Sequence, residues 1–446
     1  MSPTSYQLLY PATILYSSLS RELCKFIILQ NACQVHQRRY IFIYTHERGL
    51  NAMLNKDMIE LGTKRSCIRE LFEYGLKRAK EVGKENVYDY SLGNPSVPTP
   101  AKTQDSLIGL IQRDNGSSLH GYTSAAGCMP AREAVARDLN ERYSANITAD
   151  NIFITCGAAP ALTAVVRAIS GENAEVIGIA PFFPEYAVFV SQNGAKFVSV
   201  DPDLDQFQIL FSDLETKLNK NTQGVIINSP NNPSGAILSK ETLSRLADLL
   251  THKSNEFGHP IYLISDEPYR ELVYDGLELP YVPSFYKNTV ICYSWSKSLS
   301  LPGERIGYVC IPDQVDDAKL LFAGVAGASR AAGHVCAPSS MQYMVAECIS
   351  LRPDIEAYDR NRKLLYESLT SYGYRCVKPQ GAFYIFVEAP GGDSQAFSDY
   401  CKEKDLLVVP GNDFCCPNYF RISTCVSYDM IVKSLPVFKE RIETFK

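Results

Sequence analysis

Residues 294–308 read SWSKSLSLPGERIGY. Lys297 follows the apolar run Thr289–Tyr293 and sits among serines, and Arg305 comes eight residues later. A carboxylate beside a lysine holds it as an ammonium; hydroxyls and a nearby arginine favour the neutral amine, which attacks carbonyl carbon. Taken alone, Lys297 also fits a solvated loop, because lysines are mostly exposed. Other groups could act with it. Asp266 ends the apolar run PIYLIS in ISDEPYREL. A buried carboxylate there can keep a heterocyclic nitrogen protonated, and an aspartate at a strand end also serves as a helix N-cap. Tyr269 could donate to the same ligand. Gly157, Ala158 and Ala159 follow NIFITC and open a helix, whose free amides suit a phosphate. Arg305 could pair the same anion. Phe183 in PFFPEY could stack on a flat ring or simply pack in the core. Asn232 lies in the turn PNNPSG. Arg421 in YFRIST has no carboxylate neighbour in sequence, so its burial calls for an anion.

The elements that must position these groups alternate. NIFITC (151–156), VIGIA (176–180), AKFVSV (195–200), GVIINS (224–229), PIYLIS (260–265) and TVICYS (289–294) are short apolar runs. Continuous runs of this kind suit parallel strands covered on both faces. Helical segments lie between them, among them PALTAVVRAI and one opening at Ser239 with Glu241. ERIGYVCI reads as an antiparallel run. Strand and helix in alternation predict an α/β sheet, whose ligands sit beyond the carboxyl ends of its strands. Gly157, Asn232, Asp266, Ser294 and Lys297 all fall at such ends.

Bulk properties narrow the function. The chain has 446 residues, of which 46% are hydrophobic, enough for a large core in two or three domains. A net charge of −5 gives no support to a nucleic-acid or anionic-membrane role. No apolar run is long enough to span a bilayer. The 14 cysteines include no CxxC pair and read as reduced thiols of a cytoplasmic protein. The six histidines form no HExxH, so no metal site is expected. Residues 1–52 differ from the rest: five basic residues face two acidic ones, without clear period. The expected natural start is Met53, with 1–52 an atypical leader. After it, Ile68, Leu71, Phe72 and Leu76 recur at helical spacing.

Ser294, Ser296, Lys297, Gly303 and Arg305 form the pattern SxSK followed by GxR. With NSPNNPSG, SDEPY, GYTSAAG (121–127) and FRIST in order, the chain resembles the class I/II aminotransferases from about residue 55 to its end. These are aspartate aminotransferase-like enzymes of fold type I that use pyridoxal 5'-phosphate. The resemblance implies that Lys297 forms the imine with the cofactor aldehyde and then acts as acid and base. Asp266 would partner the pyridine nitrogen, Tyr269 and Asn232 the phenolic oxygen, and Phe183 would stack on the ring. Ser294, Arg305 and the amides of Gly157, Ala158 and Ala159 would hold the phosphate, with Ser296 of the same motif among the cofactor-binding residues. Many relatives carry Ser, Thr or Lys where this chain has Ala158 and Ala159, so the phosphate should lean more on Ser294 and Arg305. Tyr122 resembles the tyrosine that reaches the partner subunit's phosphate, which implies a homodimer with shared sites. Arg421 would grip the substrate α-carboxylate beside Gly93.

The implied fold is a mostly parallel seven-stranded sheet in a large domain (101–335), with a smaller α+β domain from 53–100 and 336–446. SYGYRCVKPQGAFYIFVEA (371–389) reads as two strands around a turn. The implied reaction moves the amino group of an aspartate-type, aromatic or broader α-amino acid to a 2-oxo acid such as 2-oxoglutarate. Aromatic residues Tyr90, Phe182, Phe183 and Tyr186 fall near the expected pocket, and Arg330 reads as a helix-surface charge. The same fold also supports a carbon–sulfur β-lyase or a non-catalytic sensor.

Overall fold

A computed structural model describes residues 54–64, 66–113 and 118–445. The leader 1–52 and the expected start at Met53 lie outside the described residues. The chain divides into two units, up to residue 65 and from 66 onward. In the first, the helix Lys56–Thr63 is capped by Asn55, whose side chain accepts from the amides of Asp57 and Met58. In the second, the helix Cys67–Val82 buries Leu71, while Leu76, counted on the same apolar face, is exposed.

Twelve strands follow in the second unit. They are β1 (Tyr88–Asp89), β2 (Ile152–Thr155), β3 (Glu175–Ile179), β4 (Lys196–Val200), β5 (Thr222–Asn228) and β6 (Tyr262–Asp266), then β7 (Thr289–Ser294), β8 (Gly307–Cys310), β9 (Tyr384–Glu388), β10 (Leu406–Leu407), β11 (Val409–Pro410) and β12 (Tyr419–Ser423). Seven of them form one sheet in the order β2-β8-β7-β6-β5-β3-β4. Only β8 runs against its neighbours β2 and β7; the other pairs are parallel. β2, β5, β6 and β7 therefore end on one rim, where β8 begins. Gly307, the first residue of β8, is paired on one side with Thr155 and on the other with Ser294. That register brings the Gly157 turn, Ser294 and the segment around Arg305 to one place.

Both faces of this sheet are covered, as the continuous apolar runs require. Val165 and Val166 of the helix Ala158–Ile169 pack with Val325 of the helix Ala318–Ala331 on Val176 and Val290. Leu243 and Leu246 of the helix Lys240–Phe257 pack with Val225 and Leu263. Ser239 caps that last helix through the Thr242 amide. The helix Ser339–Cys348, expected with the smaller domain, instead buries Met344 and Val345 in one cluster with Ala131 and Ile152.

A second, antiparallel sheet has the order β11-β12-β9. The expected pair of strands in 371–389 reduces to β9, since Cys376 makes only an isolated bridge to Val387. The apolar run 406–410 is shared between two pairings: β10 pairs with β1, and β11 with β12. A closing helix, Tyr428–Thr444, buries Ile431 and Phe438 with Phe397 and Phe420. Every cysteine among the described residues is a free thiol. Among the same residues no helix is long and apolar enough to cross a membrane.

Candidate active site

Asp266 ends β6 and is buried, with 5% exposure. The Tyr186 hydroxyl donates to its Oδ2 at 2.5 Å, and Asn228 Nδ2 donates to its main-chain oxygen at 2.8 Å. Its Oδ1 is buried without a hydrogen-bond partner. Burial pushes the carboxyl up to about 7; the Tyr186 bond acts against that shift, and Glu267 adds to it. A carboxylate in this state is satisfied by a cationic N–H donor at Oδ1.

Lys297 lies in the short helix Trp295–Ser298 that follows β7. Its Nζ donates to the Gly93 carbonyl at 2.6 Å and stands 5.5 Å from the Phe383 ring centre. Burial lowers its pKa to about 8, helped by the guanidinium groups of Arg421 and Arg305 and opposed by Cys425. The missing carboxylate and Arg305 were legible in sequence; burial, the largest cause, and Arg421 were not. An added Cβ at Gly93 would lie 2.0 Å from the Tyr384 hydroxyl oxygen, so a larger residue there would displace that buried tyrosine.

Gly157 turns from β2 into the helix Ala158–Ile169 at φ 104°, a conformation that side chains disfavour. A Cβ there would also stand 2.9 Å from Arg305 Nη2. Arg305 Nη1 donates to the Pro302 carbonyl at 3.0 Å. Ser294 and Ser296 are both buried. The guanidinium thus lies against the helix N-terminus, where free amides and a positive charge converge. Ala158 and Ala159 contribute backbone donors only.

Arg421 is central on β12 and 2% exposed. Nη1 donates to Asn232 Oδ1 at 3.0 Å and Nη2 to the Ser91 carbonyl at 2.5 Å. Its Nε is buried and unpartnered. The guanidinium stands 4.6 Å from the Tyr384 ring centre. These hydrogen-bond partners are neutral, so the buried cation lacks the anion that usually compensates it.

The other expected residues fall as follows. Tyr269 is buried, and its hydroxyl is 3.1 Å from that of Tyr384. Phe183 is partly buried and meets Tyr186 edge-on at 5.9 Å. Phe182 is buried in the sheet core. Tyr90 belongs to the core of the smaller sheet, bonded to Ser434 at 2.6 Å. Arg330 is exposed, as expected. Tyr122 is 100% exposed, and among the described residues no hydrogen bond or ring contact joins it to the site. Tyr384 and Ser91 were missed as contributors, and Tyr186 was seen only as a nearby aromatic. Their partners lie 80 or more residues away, and no local pattern marks them.

The family of class I and II aminotransferases matches residues 84–433. The chain belongs to this family. It is 30% identical to the aspartate aminotransferase of Pyrococcus horikoshii, over 85% of this chain and 95% of that protein. It is 28% identical to aromatic-amino-acid aminotransferase 2 of Thermococcus litoralis, over 83% and 94%. The crystal structure of an aminotransferase from Eubacterium rectale is 52% identical, covers 89% of this chain and 100% of that one, and superposes with a TM-score of 0.87. This aminotransferase depends on pyridoxal 5'-phosphate and acts on amino acids and 2-oxo acids. The geometry fits that cofactor: Asp266 Oδ1 lacks a partner, and a backbone cradle at Gly157 lies against a guanidinium.

Proposed function

We propose that the enzyme transfers the amino group of an aspartate-type or aromatic α-amino acid to a 2-oxo acid such as 2-oxoglutarate, in two half-reactions at one site. The observation that carries this reading is Arg421, a buried guanidinium with neutral partners and an unpaired Nε. It suits the α-carboxylate common to donor and acceptor. The relatives named for aspartate and for aromatic amino acids support the choice of side chain.

The residues take these roles. Gly157, Ala158 and Ala159 amides, with Ser294, Ser296 and Arg305, hold the cofactor phosphate. Tyr269 and Asn232 bond its phenolic oxygen; Asn232 Oδ1 is engaged by Arg421, which leaves Nδ2 as the donor. Phe183 stacks on the ring, and Asp266 Oδ1 holds the ring nitrogen protonated. The bound cofactor supplies an electron sink for the reacting Cα. Arg421, with Asn232 and the Gly93 backbone beside it, fixes the α-carboxylate and so orients the Cα–H bond. Lys297 Nζ, lowered to about 8, takes the Cα proton as base and returns it as acid.

Within the second unit, the part built on the seven-stranded sheet and the part built on the smaller sheet would close on substrate and exclude water. Exposed Tyr122 would complete the phosphate site of a second copy in a homodimer. The absence of a spanning helix among the described residues and the free thiols agree with a cytoplasmic enzyme.

The test is an absorption spectrum of the purified holoenzyme, titrated with single amino acids in the absence of any 2-oxo acid. Loss of the visible band with stoichiometric release of the matching 2-oxo acid names the donor. A persistent band with accumulating ammonia and pyruvate would replace transamination by β-elimination. Arg421→Lys should raise KM for the amino donor by about tenfold or more, since a point charge replaces a fork. Steady-state kinetics check this, and an unchanged KM would place the carboxylate elsewhere.

A further inference from the structure

Asp266 and Lys297 act on the same small molecule but end different strands, and no hydrogen bond joins them. Behind them lies a buried ionic network that the mechanism does not use. Glu267, the residue after Asp266, is 4% exposed. It accepts from Ser265 Oγ at 2.7 Å and from Arg270 Nε at 2.7 Å. Its amide donates to the Cys292 carbonyl of β7 at 2.9 Å. Arg270 is equally buried; its Nη1 donates to the Tyr308 hydroxyl at 2.7 Å, and its guanidinium stands 4.6 Å from the Tyr293 ring centre.

Tyr293 carries the network to the lysine. Its hydroxyl donates to Glu271 Oε2 at 2.9 Å and lies 2.8 Å from Ser298 Oγ. A phenol has one proton, so Ser298 is the donor in the second bond. Ser298 directly follows Lys297, and Tyr293 directly precedes Ser294. One side-chain bond therefore closes the loop that bears the lysine and a phosphate contact. Glu271 is anchored in turn by Arg142 at 2.9 Å, and Arg142 by Asp138 at 2.9 Å.

We propose that this network, through Glu267 on one side and the Tyr293–Ser298 bond on the other, is a positioning device that sets Lys297 relative to Asp266. Buried ion pairs are weak contributors to stability, and the best-attested use of such groups is to specify one arrangement. A lysine that must reach both cofactor and Cα needs such an arrangement, because a shift of about 1 Å can cost about 100-fold in rate. The inference rests on the roles proposed above for Asp266 and Lys297.

The experiment uses holoenzyme carrying Tyr293→Phe, Ser298→Ala or both. Each single change removes the Tyr293–Ser298 bond and leaves the Arg270–Glu267 pair in place; Tyr293→Phe also removes the bond to Glu271, so Ser298→Ala is the cleaner variant. Each should lower kcat by about tenfold with KM for the amino donor within about twofold, because a misplaced base affects the chemical step and not binding. The visible circular dichroism of the bound cofactor should change, since it reports the ring's asymmetric setting. The double variant should be no slower than the slower single variant, because one shared bond is lost only once. Unchanged kcat and dichroism in either single variant would overturn the proposal. So would a lower melting temperature with no kinetic change, a rise in KM alone, or a double loss equal to the product of the single losses. If Tyr293→Phe does not fold, Ser298→Ala decides by the same two readouts. A Lys297→Ala control that loses turnover separates failure of the network from failure of the active-site assignment.

Discussion

Lys297→Ala should lower transamination by about four orders of magnitude or more, because general acid–base catalysis and the covalent role disappear together. The setting explains why no neighbour can substitute. Burial and two guanidinium groups keep the Lys297 amine near pKa 8, so a base is available at working pH. The charged groups around it are guanidinium groups, which are donors and offer no base, and Cys425 is pushed up to about 11 by burial. The phosphate cradle proposed at Gly157 and Arg305 is untouched, so the variant should still bind the cofactor, without a covalent link. Turnover is measured with an amino donor and a 2-oxo acid, and attachment by mass spectrometry after borohydride reduction. Wild-type turnover in the variant would remove Lys297 from the mechanism.

Asp266→Asn should raise the barrier by about 3 kcal/mol, or roughly two orders of magnitude in kcat. A neutral amide cannot hold the ring nitrogen protonated, and the electron sink weakens. The same change should have the opposite sign for stability without cofactor. Asp266 titrates near 7 in the folded chain against 3.8 ordinarily, chiefly through burial. Its raised value favours folding while the carboxyl is protonated, and that advantage is lost as pH rises from about 4 through about 7. At pH 8 the cofactor-free wild type buries an ionised carboxylate whose Oδ1 has no partner. Cofactor-free Asp266→Asn should therefore melt higher than cofactor-free wild type at pH 8, by the equivalent of a few kcal/mol. Thermal scans of both cofactor-free proteins check this. A variant within about twofold of wild type in kcat, or melting no higher at pH 8, would mean that Asp266 does not carry an unmet charge. The two effects together express a trade: a site strained toward its cofactor costs stability until the cofactor arrives.

Much of this enzyme was legible from residue order. Short apolar runs separated by helical segments specify a parallel sheet because both faces must be covered. The rule that ligands gather at carboxyl strand ends then marks Gly157, Asp266 and Lys297 without any coordinates. Arg421 stood out because an arginine in an apolar strand needs an anion. Where the reading failed, the deciding energy was non-local. The segment 371–389 has the composition of two strands, yet only Tyr384–Glu388 finds partners along its length. Apolarity can make a strand possible, but an available neighbour makes it form. The helix Ser339–Cys348 follows the cluster that buries Met344, which its own sequence does not announce.

By itself the amino-acid sequence determined which groups could do the chemistry: an amine, a carboxylate and a phosphate cradle at the ends of their elements, and an arginine within an apolar strand. Local residue type and spacing are sufficient for that, since a strand end or helix start is a property of a few residues. Only the tertiary structure decided what state those groups are in. Tyr186 meets Asp266 across 80 residues, Tyr384 meets Tyr269 across 115, and Gly93 meets Lys297 across 204. Each contact joins segments that the strand order β2-β8-β7-β6-β5-β3-β4 and the packing around that sheet bring together. Burial, the largest cause of the shifts at both Lys297 and Asp266, depends on how the whole chain packs, and no local window of sequence contains it.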